Sequence, residues 1–212
     1  MALPLLQVAL DNNTLADALK SVKALGNDVD VIEAGTILCL QEGMEAVRCL
    51  RALFPDKTIL ADTKCADAGG TVAKNCADAG ADWMTVICSA TIPTMKAALK
   101  EVKDLQVELY GDWTYEHAKA WKEAGLSQAV YHQSRDALLA GETWGKKDLD
   151  KVKGLIDMGF KVSVTGGLEL DTIKLFKDLD IYCFIAGRSL RDAVDPGAEA
   201  RAWKAEMTNY WK

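Results

Sequence analysis

Short apolar runs alternate with segments of helical spacing along the whole chain. Runs of a few β-branched and other apolar residues, bounded by polar residues or glycine, predict buried strands. The eight predicted strands cover residues 5–10, 29–33, 58–62, 83–88, 107–109, 129–132, 161–165 and 181–186. Apolar positions that recur with a helical period predict helices over residues 14–25, 45–53, 71–79, 94–103, 114–124 and 147–158. Glycine follows four of these segments, as at a helix C-cap, at positions 26, 80, 125 and 159.

The order of these elements predicts the fold class. The ends of the predicted strands are evenly spaced, and each interval fits one strand–helix unit. Several strands are apolar throughout, as parallel strands that are covered on both faces are. The chain is therefore predicted to be an α/β protein, a single (β/α)8 TIM barrel over residues 1–212 with a C-terminal helical tail over residues 198–212. A doubly wound open sheet is the alternative, but its usual early GxGxxG motif is missing.

Composition excludes several function classes. The formal charge is −6, from 25 basic and 31 acidic residues, and no basic block supports nucleic-acid binding. No apolar stretch approaches the ~20 residues of a membrane span, and the N-terminus lacks the charged region of an export signal. Six cysteines without a CxxC pair, beside two histidines, disfavour a zinc cluster and indicate reduced thiols. These features predict a cytoplasmic protein.

Candidate chemistry lies at the ends of the predicted strands. In a barrel of this kind the active site is at the C-terminal ends of the strands. Each polar group there is compatible with a helix cap or a satisfied core residue, but their coincidence at one rim favours a functional site. In chain order they are Asp11, Glu33, Asp62 with Lys64, Cys88 with Ser89, Glu108, His132, Thr165 with Gly166 and Gly167, and Gly187 with Arg188.

Two carboxylates and one ammonium are gathered in the segment Asp62-Thr63-Lys64-Cys65-Ala66-Asp67. Strand alternation predicts that Asp62 and Lys64 point to the same face. Because neighbouring carboxylates keep a lysine protonated, Lys64 is predicted to stabilise a developing oxyanion rather than to form a Schiff base. This favours enolate or enediolate chemistry. Cys65, within the same segment, is assigned a packing role.

A metal site is suggested by Glu33 and Asp62, which end two neighbouring strands. Two carboxylates that face one cavity suit Mg²⁺, which keeps most of its waters and takes one or two protein carboxylates. Alternatively, Lys64 neutralises one carboxylate and a backbone amide binds the other. His132 ends the sixth strand and is a candidate general acid or water ligand, whereas His117 lies on a predicted solvated helix face and has no assigned role.

A phosphate site is suggested by the last two predicted strands. Thr165-Gly166-Gly167 ends the seventh strand and Gly187-Arg188-Ser189 follows the eighth, where this fold commonly binds phosphate. Glycines let backbone N–H groups approach phosphate oxygens, and arginine adds a planar charged fork. Either segment alone is compatible with a tight turn, but both together predict a phosphorylated small-molecule ligand.

With these residues assembled, the chain resembles the orotidine 5′-monophosphate decarboxylase suprafamily, whose DxKxxD signature is matched by Asp62, Lys64 and Asp67. It is most similar to the 3-keto-L-gulonate-6-phosphate decarboxylase family within that group. The similarity extends over essentially the whole chain. It includes the segments LQVALDN, VIEAGTILC, LADTKCADAG, ADWMTVIC, VELYGDWT, VYHQSRDA, VTGGL and FIAGRSLRDA.

The resemblance implies a (β/α)8 homodimer with two active sites at the subunit interface. It implies Mg²⁺-dependent decarboxylation of 3-keto-L-gulonate 6-phosphate to L-xylulose 5-phosphate and CO2 through an enediolate, in L-ascorbate catabolism. The implied roles are metal binding by Glu33 and Asp62, catalysis by Lys64, Asp67 (from the partner), His132 and Arg135, and substrate binding by Asp11, Glu108, Thr165, Gly167, Gly187 and Arg188.

Four other functions share parts of this pattern. A 3-hexulose-6-phosphate synthase shares the enediolate, but that family usually has Asp, Val and Ala in place of Glu108, Arg135 and Thr165. Orotidine monophosphate decarboxylase places a lysine where this chain has Glu33 and needs no metal. A pentose-phosphate epimerase fits the lone lysine poorly. A non-catalytic sugar-phosphate binding protein does not need so many charged groups at the rim.

Overall fold

The computed structural model describes residues 1–211, which include a closed barrel of eight parallel strands. Each strand pairs with the next along the chain, and the last pairs with the first. The (β/α)8 prediction is therefore confirmed, and the open-sheet alternative is wrong. The strands are β1 Leu5–Leu10, β2 Val31–Ala34, β3 Thr58–Cys65, β4 Trp83–Ile87, β5 Asp104–Leu109, β6 Gln128–His132, β7 Lys161–Thr165 and β8 Cys183–Ala186.

Helices connect the strands and cover the barrel. They are α1 Leu15–Leu25, α2 Thr36–Glu42, α3 Met44–Leu53, α4 Gly69–Asp78, α5 Ile92–Leu99, α6 Tyr115–Glu123, α7 Arg135–Leu139, α8 Lys146–Asp157, α9 Arg188–Arg191 and α10 Pro196–Tyr210, with a 3₁₀ helix at Ile173–Phe176. None of the helices among residues 1–211 has the length and apolar character that crossing a bilayer requires.

Several element boundaries differ from the prediction. The β5 strand begins at Asp104 rather than at residue 107, because the Asp104 carboxylate accepts hydrogen bonds from Ser127 and Gln128 and so occupies a strand position with a polar side chain. The β3 strand continues to Cys65, through residues expected to follow it. After β7 the chain forms only one 3₁₀ turn, Ile173–Phe176.

The glycines predicted to end helices act in two ways. Gly80, Gly125 and Gly159 have φ values of 101°, 97° and 82°, in the left-handed region that glycine adopts without strain. Gly26 ends α1 with an ordinary φ of −60°. Glycine is needed at position 26 for steric reasons, since a Cβ there would lie 2.5 Å from the Phe54 ring.

The C-terminal tail folds back onto the barrel. The described part of the predicted tail is helical up to Tyr210, and Lys212 lies outside the described residues. The Trp211 ring centroid lies 5.3 Å from that of Phe184 on β8, and its Nε1 donates to the Leu179 carbonyl at 2.9 Å. The tail aromatics therefore pack onto the barrel, because Trp203 and Trp211 are both buried within their own subunit.

The barrel interior is polar close to the site. On β1, Leu6 and Val8 belong to the hydrophobic core, while Gln7, on the alternate face, bonds to Glu33 of β2. Deeper in the barrel, Gln106 Nε2 donates to Gln128 Oε1 at 2.9 Å. Polar side chains therefore continue below the rim, where many barrels have only branched apolar residues.

Candidate active site

Lys64 reaches the cavity from an irregular stretch of β3. Ala61 pairs with Met84 and Cys65 pairs with Val86, so four steps along β3 correspond to two along β4. Lys64 lies in this bulge with a φ of 44°, a left-handed conformation that strains a residue with a Cβ. The prediction that Asp62 and Lys64 share a cavity holds, but regular strand alternation is the wrong reason for it.

Hydrogen-bond donors contact both oxygens of the Asp62 carboxylate. Its Oδ2 accepts from Lys64 Nζ at 2.5 Å and from Thr36 Oγ1 at 2.5 Å. Its Oδ1 accepts from Thr85 Oγ1 at 2.7 Å. Burial raises the pKa of Asp62, but the Lys64 charge and the hydrogen bonds outweigh burial and lower the pKa overall. Asp62 is therefore held ionised.

Lys64 lies between two carboxylates. Besides Asp62, its Nζ is 3.1 Å from Glu108 Oε2, and it donates to Thr36 Oγ1 at 2.6 Å. Burial lowers the pKa of Lys64, but the charges of Asp62 and Glu108 raise it by more, so the net shift is upward. The predicted protonated ammonium is therefore supported. A Schiff base, which needs a neutral amine, is disfavoured.

Glu33 is the least stabilised carboxylate of the group. Burial raises its pKa, and the charges of Asp62 and Asp11 raise it further. Gln7 Nε2 donates to Glu33 Oε2 at 2.5 Å, which offsets this only in part. When Glu33 is ionised, the site therefore has an excess of negative charge that Lys64 alone does not balance.

That excess fits a divalent cation. Glu33 and Asp62 line the same small cavity of about 40 Å³, and carboxylate oxygens are the ligands that Mg²⁺ prefers. No group of three or more His, Cys, Asp or Glu side chains within residues 1–211 forms a ready-made metal cage. A Mg²⁺ ion does not require one, because it keeps several waters and shares ligands with its substrate.

Two neighbouring side chains fix the Nδ1 side of the His132 imidazole. Its Nδ1 lies 2.7 Å from Glu108 Oε1 and 2.7 Å from the Tyr110 hydroxyl. Glu108 is buried, which raises its pKa, and the charge of Asp62 raises it too, while His132 and Lys64 lower it. Nearby, Arg135 Nη2 lies 3.5 Å from Asp11 Oδ2. These contacts connect the ends of β1, β5 and β6.

A cavity of about 750 Å³ extends from Lys64 towards the ends of β7 and β8. Gly166 and Gly167 line it with φ values of 105° and 61°. A Cβ on Gly166 would lie 2.1 Å from the Gln133 carbonyl oxygen, so only glycine fits there. Positive charge comes from Arg188 and from Arg191, whose buried Nη1 has no hydrogen-bond partner among residues 1–211. The α9 helix, at four residues, is too short to add much dipole.

A second cavity, of about 550 Å³, lies at the opposite end of the barrel around Arg51, Asp82 and Lys103. Asp82 is already paired with both Arg51 and Lys103. Arg51 also donates to the Gly80 and Lys57 carbonyls. This end of a barrel usually serves stability, and its charged groups satisfy one another.

Comparison with known proteins shows the family to which the chain belongs. A family model described as "Orotidine 5'-phosphate decarboxylase / HUMPS family" matches residues 4–203, almost the whole chain. The chain belongs to this family. The resemblance predicted from the DxKxxD segment is thereby confirmed.

Close relatives of this family member cover its full length. The curated 3-keto-L-gulonate-6-phosphate decarboxylase UlaD of Escherichia fergusonii is 53% identical over 215 residues, with 100% of each chain covered. A crystal structure of KGPDC from Streptococcus mutans is 63% identical, with 99% and 100% of the chains covered and a TM-score of 0.97. The 3-hexulose-6-phosphate synthase from Salmonella typhimurium is more distant, at 28% identity, 97% and 99% coverage and a TM-score of 0.89.

Of the residues assigned a catalytic, substrate-binding or metal-binding role, the structure brings all except one to the two connected cavities, whereas Cys88 and Ser89 of the predicted rim line neither. Asp67 is the exception, because it is exposed on the loop after β3 and lines neither cavity of its own chain. The residues that line the cavities are Asp11, Glu33, Asp62, Lys64, Glu108, His132, Arg135, Thr165, Gly167, Gly187 and Arg188.

Sequence reasoning missed five residues of the site. A signal for Gln7 and Thr85 was present in the sequence, because each is a polar residue in the middle of an apolar strand. Thr36, which bridges Lys64 and Asp62, looked like an ordinary helix start after a glycine. Tyr110 and Arg191 gave no local signal, since only the fold brings them to the cavity.

Proposed function

We propose that this protein is a carboxy-lyase that converts 3-keto-L-gulonate 6-phosphate to L-xylulose 5-phosphate and CO2. The proposal is carried by the Lys64 ammonium, held between Asp62 and Glu108 in a cavity whose far end has glycines and arginines. Full-length similarity to enzymes named for this reaction supports it.

The chemistry fits a β-keto acid. When the bond between the carboxylate carbon and C2 breaks, its electron pair stays on the sugar and forms an enediolate across C2 and C3. An ammonium that is already oriented stabilises this charge without reorganisation. Lys64 is in that state, because Thr36 and the two carboxylates fix its Nζ.

The intermediate must then take up a proton. The Nδ1 of His132 is fixed by Glu108 and Tyr110, and Arg135 lies at the same rim beside Asp11. We assign His132 and Arg135 to hold the water that protonates the enediolate. An imidazole whose orientation is fixed can hold this water in position, and general acid–base catalysis depends on geometry first and on pKa second.

The substrate phosphate is assigned to the other end of the cavity. Gly167 and Gly187 place backbone at the cavity wall, and Arg188 provides the guanidinium. Thr165 lies between this end and Lys64, where it lines both cavities beside the sugar position. Binding energy from the phosphate positions the reacting carbons, which lie away from it.

Mg²⁺ is proposed as the cofactor, with Glu33 and Asp62 as its protein ligands. When bound, the ion acts as a Lewis acid for the developing enediolate charge. Glu33 must lose its proton to bind it, so the raised pKa of Glu33 makes metal binding depend on pH.

We also propose a cytoplasmic homodimer in which Asp67 completes the partner's site. Asp67 is exposed and outside its own cavity, and all six cysteines are free thiols. Mixing inactive Lys64→Ala and inactive Asp67→Ala chains tests the shared site. Activity should return in mixed dimers, because one site then holds both native residues. No recovery after verified subunit exchange would contradict the shared site.

The function itself is tested by CO2 release from 3-keto-L-gulonate 6-phosphate, with Mg²⁺ and again with EDTA. Rapid release with Mg²⁺ and little with EDTA are expected. Absence of release under both conditions, from folded protein, would contradict the proposal.

The second candidate is 3-hexulose-6-phosphate synthase, which uses a similar enediolate. The fold similarity to such a synthase favours testing it, but Glu108 and Thr165 depart from the pattern usual in that family. The same preparation is assayed for condensation of formaldehyde with ribulose 5-phosphate. We expect this activity to be the weaker of the two.

A further inference from the structure

Tyr110 is a cavity residue that the proposed chemistry does not yet use. It follows β5, lines the larger cavity, and places its hydroxyl 2.7 Å from His132 Nδ1. The two rings lie against each other, with centroids 4.7 Å apart and planes at 39°. The backbone is held as well, since Cys88 Sγ donates to the Tyr110 carbonyl at 3.3 Å.

The hydrogen-bond inventory limits how these groups share protons. An imidazole nitrogen has either one hydrogen or one lone pair, yet Nδ1 has two oxygens at 2.7 Å, from Glu108 and Tyr110. An ionised carboxylate only accepts, so the Nδ1 hydrogen goes to Glu108. The Tyr110 hydroxyl is then free to direct its own hydrogen to the same carboxylate, which is buried at 3% exposure and within hydrogen-bond reach of the hydroxyl.

We propose that Tyr110 is a positioning residue for His132: its hydroxyl and the Nδ1 hydrogen both donate to Glu108, which leaves Nε2 as the ring nitrogen available to a proton-donating water. This inference rests on the proposed function for its catalytic consequence, but not for its hydrogen-bond geometry. Burial and the charge of Glu108 raise the pKa of Tyr110, so the hydroxyl keeps its proton and remains a donor. Tyr110 acts through His132 and is not itself in the reaction.

The test compares Tyr110→Phe with Tyr115→Phe. Tyr110→Phe keeps the ring and removes only the hydroxyl. Tyr115 is 45% exposed and lies outside both site cavities, so the same change there is a matched control. We expect Tyr110→Phe to lower kcat ~10- to 100-fold, the value of one hydrogen bond to a charged group, with KM within about twofold of the wild type.

Imidazole ¹⁵N NMR gives a readout that a merely structural role would not change. The chain has two histidines, so a His117→Gln variant assigns the His132 signals. In the wild type at neutral pH, the Nδ1–H tautomer of His132 should dominate. In Tyr110→Phe, Glu108 loses the hydroxyl that holds its carboxylate against Nδ1, so the Nε2–H tautomer should become populated. In Tyr115→Phe it should not.

The outcomes are separable. A wild-type His132 with its hydrogen on Nε2 overturns the proposal, and so does a Tyr110→Phe variant with unchanged NMR signals or unchanged kcat. If Tyr110→Phe fails to fold, Glu108→Gln decides, since it should also weaken the Nδ1–H preference, and an unchanged tautomer there overturns the proposal. If the wild type releases no CO2, the proposed function fails, while the NMR result still decides what Tyr110 does to His132.

Discussion

Replacing Lys64 by alanine tests the central electrostatic argument. The change removes the ammonium that lies 2.5 Å from Asp62 Oδ2 and 3.1 Å from Glu108 Oε2. A charge about 3 Å from an enediolate oxygen gains ~5 kcal/mol at an effective dielectric constant of about 20. Removal of one such stabiliser in other enzymes costs ~3–4 kcal/mol. We therefore expect kcat/KM for CO2 release to fall at least ~10²–10³-fold.

The same variant should also report on the charge balance. Without Lys64, the buried Glu108 loses a cation and its pKa, already raised by burial, should rise further. A carboxyl whose pKa is raised on folding lowers stability as pH rises through that pKa. The loss of unfolding free energy in Lys64→Ala should therefore be greater at pH 8 than at pH 5.5. At the higher pH it should approach the ~3–5 kcal/mol of a broken buried ion pair.

The assay is continuous CO2 detection with saturating Mg²⁺, beside urea unfolding at both pH values. Lys74→Ala is the matched control, because Lys74 pairs with Asp78 on an exposed helix face, where such pairs contribute little. Turnover by Lys64→Ala close to that of the control would refute the assigned role. A stability loss that is equal at both pH values would refute the charge argument.

Three further predictions follow from the site. Mg²⁺ binding should weaken as pH falls towards the raised pKa of Glu33, and binding should release a proton. Calorimetry in two buffers of different ionisation enthalpy measures that proton release, which Glu33→Gln should abolish. Binding heats that do not depend on the buffer in the wild type would count against Glu33 as a ligand. Arg188→Ala should raise KM at least ~10-fold with a smaller change in kcat in steady-state kinetics, and an unchanged KM would place the phosphate elsewhere. Thr85→Val should cost ~1–3 kcal/mol of unfolding free energy, because Thr85 Oγ1 bonds both Asp62 and the Lys64 amide; a loss below ~0.5 kcal/mol would contradict this.

The barrel could be predicted from the sequence because eight apolar runs recur at an even spacing, and that spacing reflects the length of one strand–helix unit. The C-terminal ends of those strands then identified the rim. The start of β5 was missed because Asp104 is a polar residue whose partners, Ser127 and Gln128, lie at the next strand. A short window of sequence around Asp104 does not contain these partners, so it cannot predict the pairing.

The site could be predicted in part for the same reason. Residues at strand ends, such as Glu33 and His132, were found from topology alone. Tyr110 and Arg191 were not, because their places depend on how short loops turn into the cavity. The contact between Lys64 and Asp62 was predicted from alternation, yet it depends on a bulge that the sequence does not announce.

The bulge in β3 has a consequence for protein engineering. It adds two residues to the strand, so that alternation is restored at Cys65, opposite Val86. A regular strand of two fewer residues would preserve the hydrogen-bond ladder on both sides and would be the simpler choice for a designer who optimises backbone regularity. In that idealised barrel, Lys64 would not reach the cavity. Grafting the DxKxxD sequence onto another scaffold therefore reproduces the position of the lysine only if the two extra residues and the left-handed conformation of Lys64 are grafted with it.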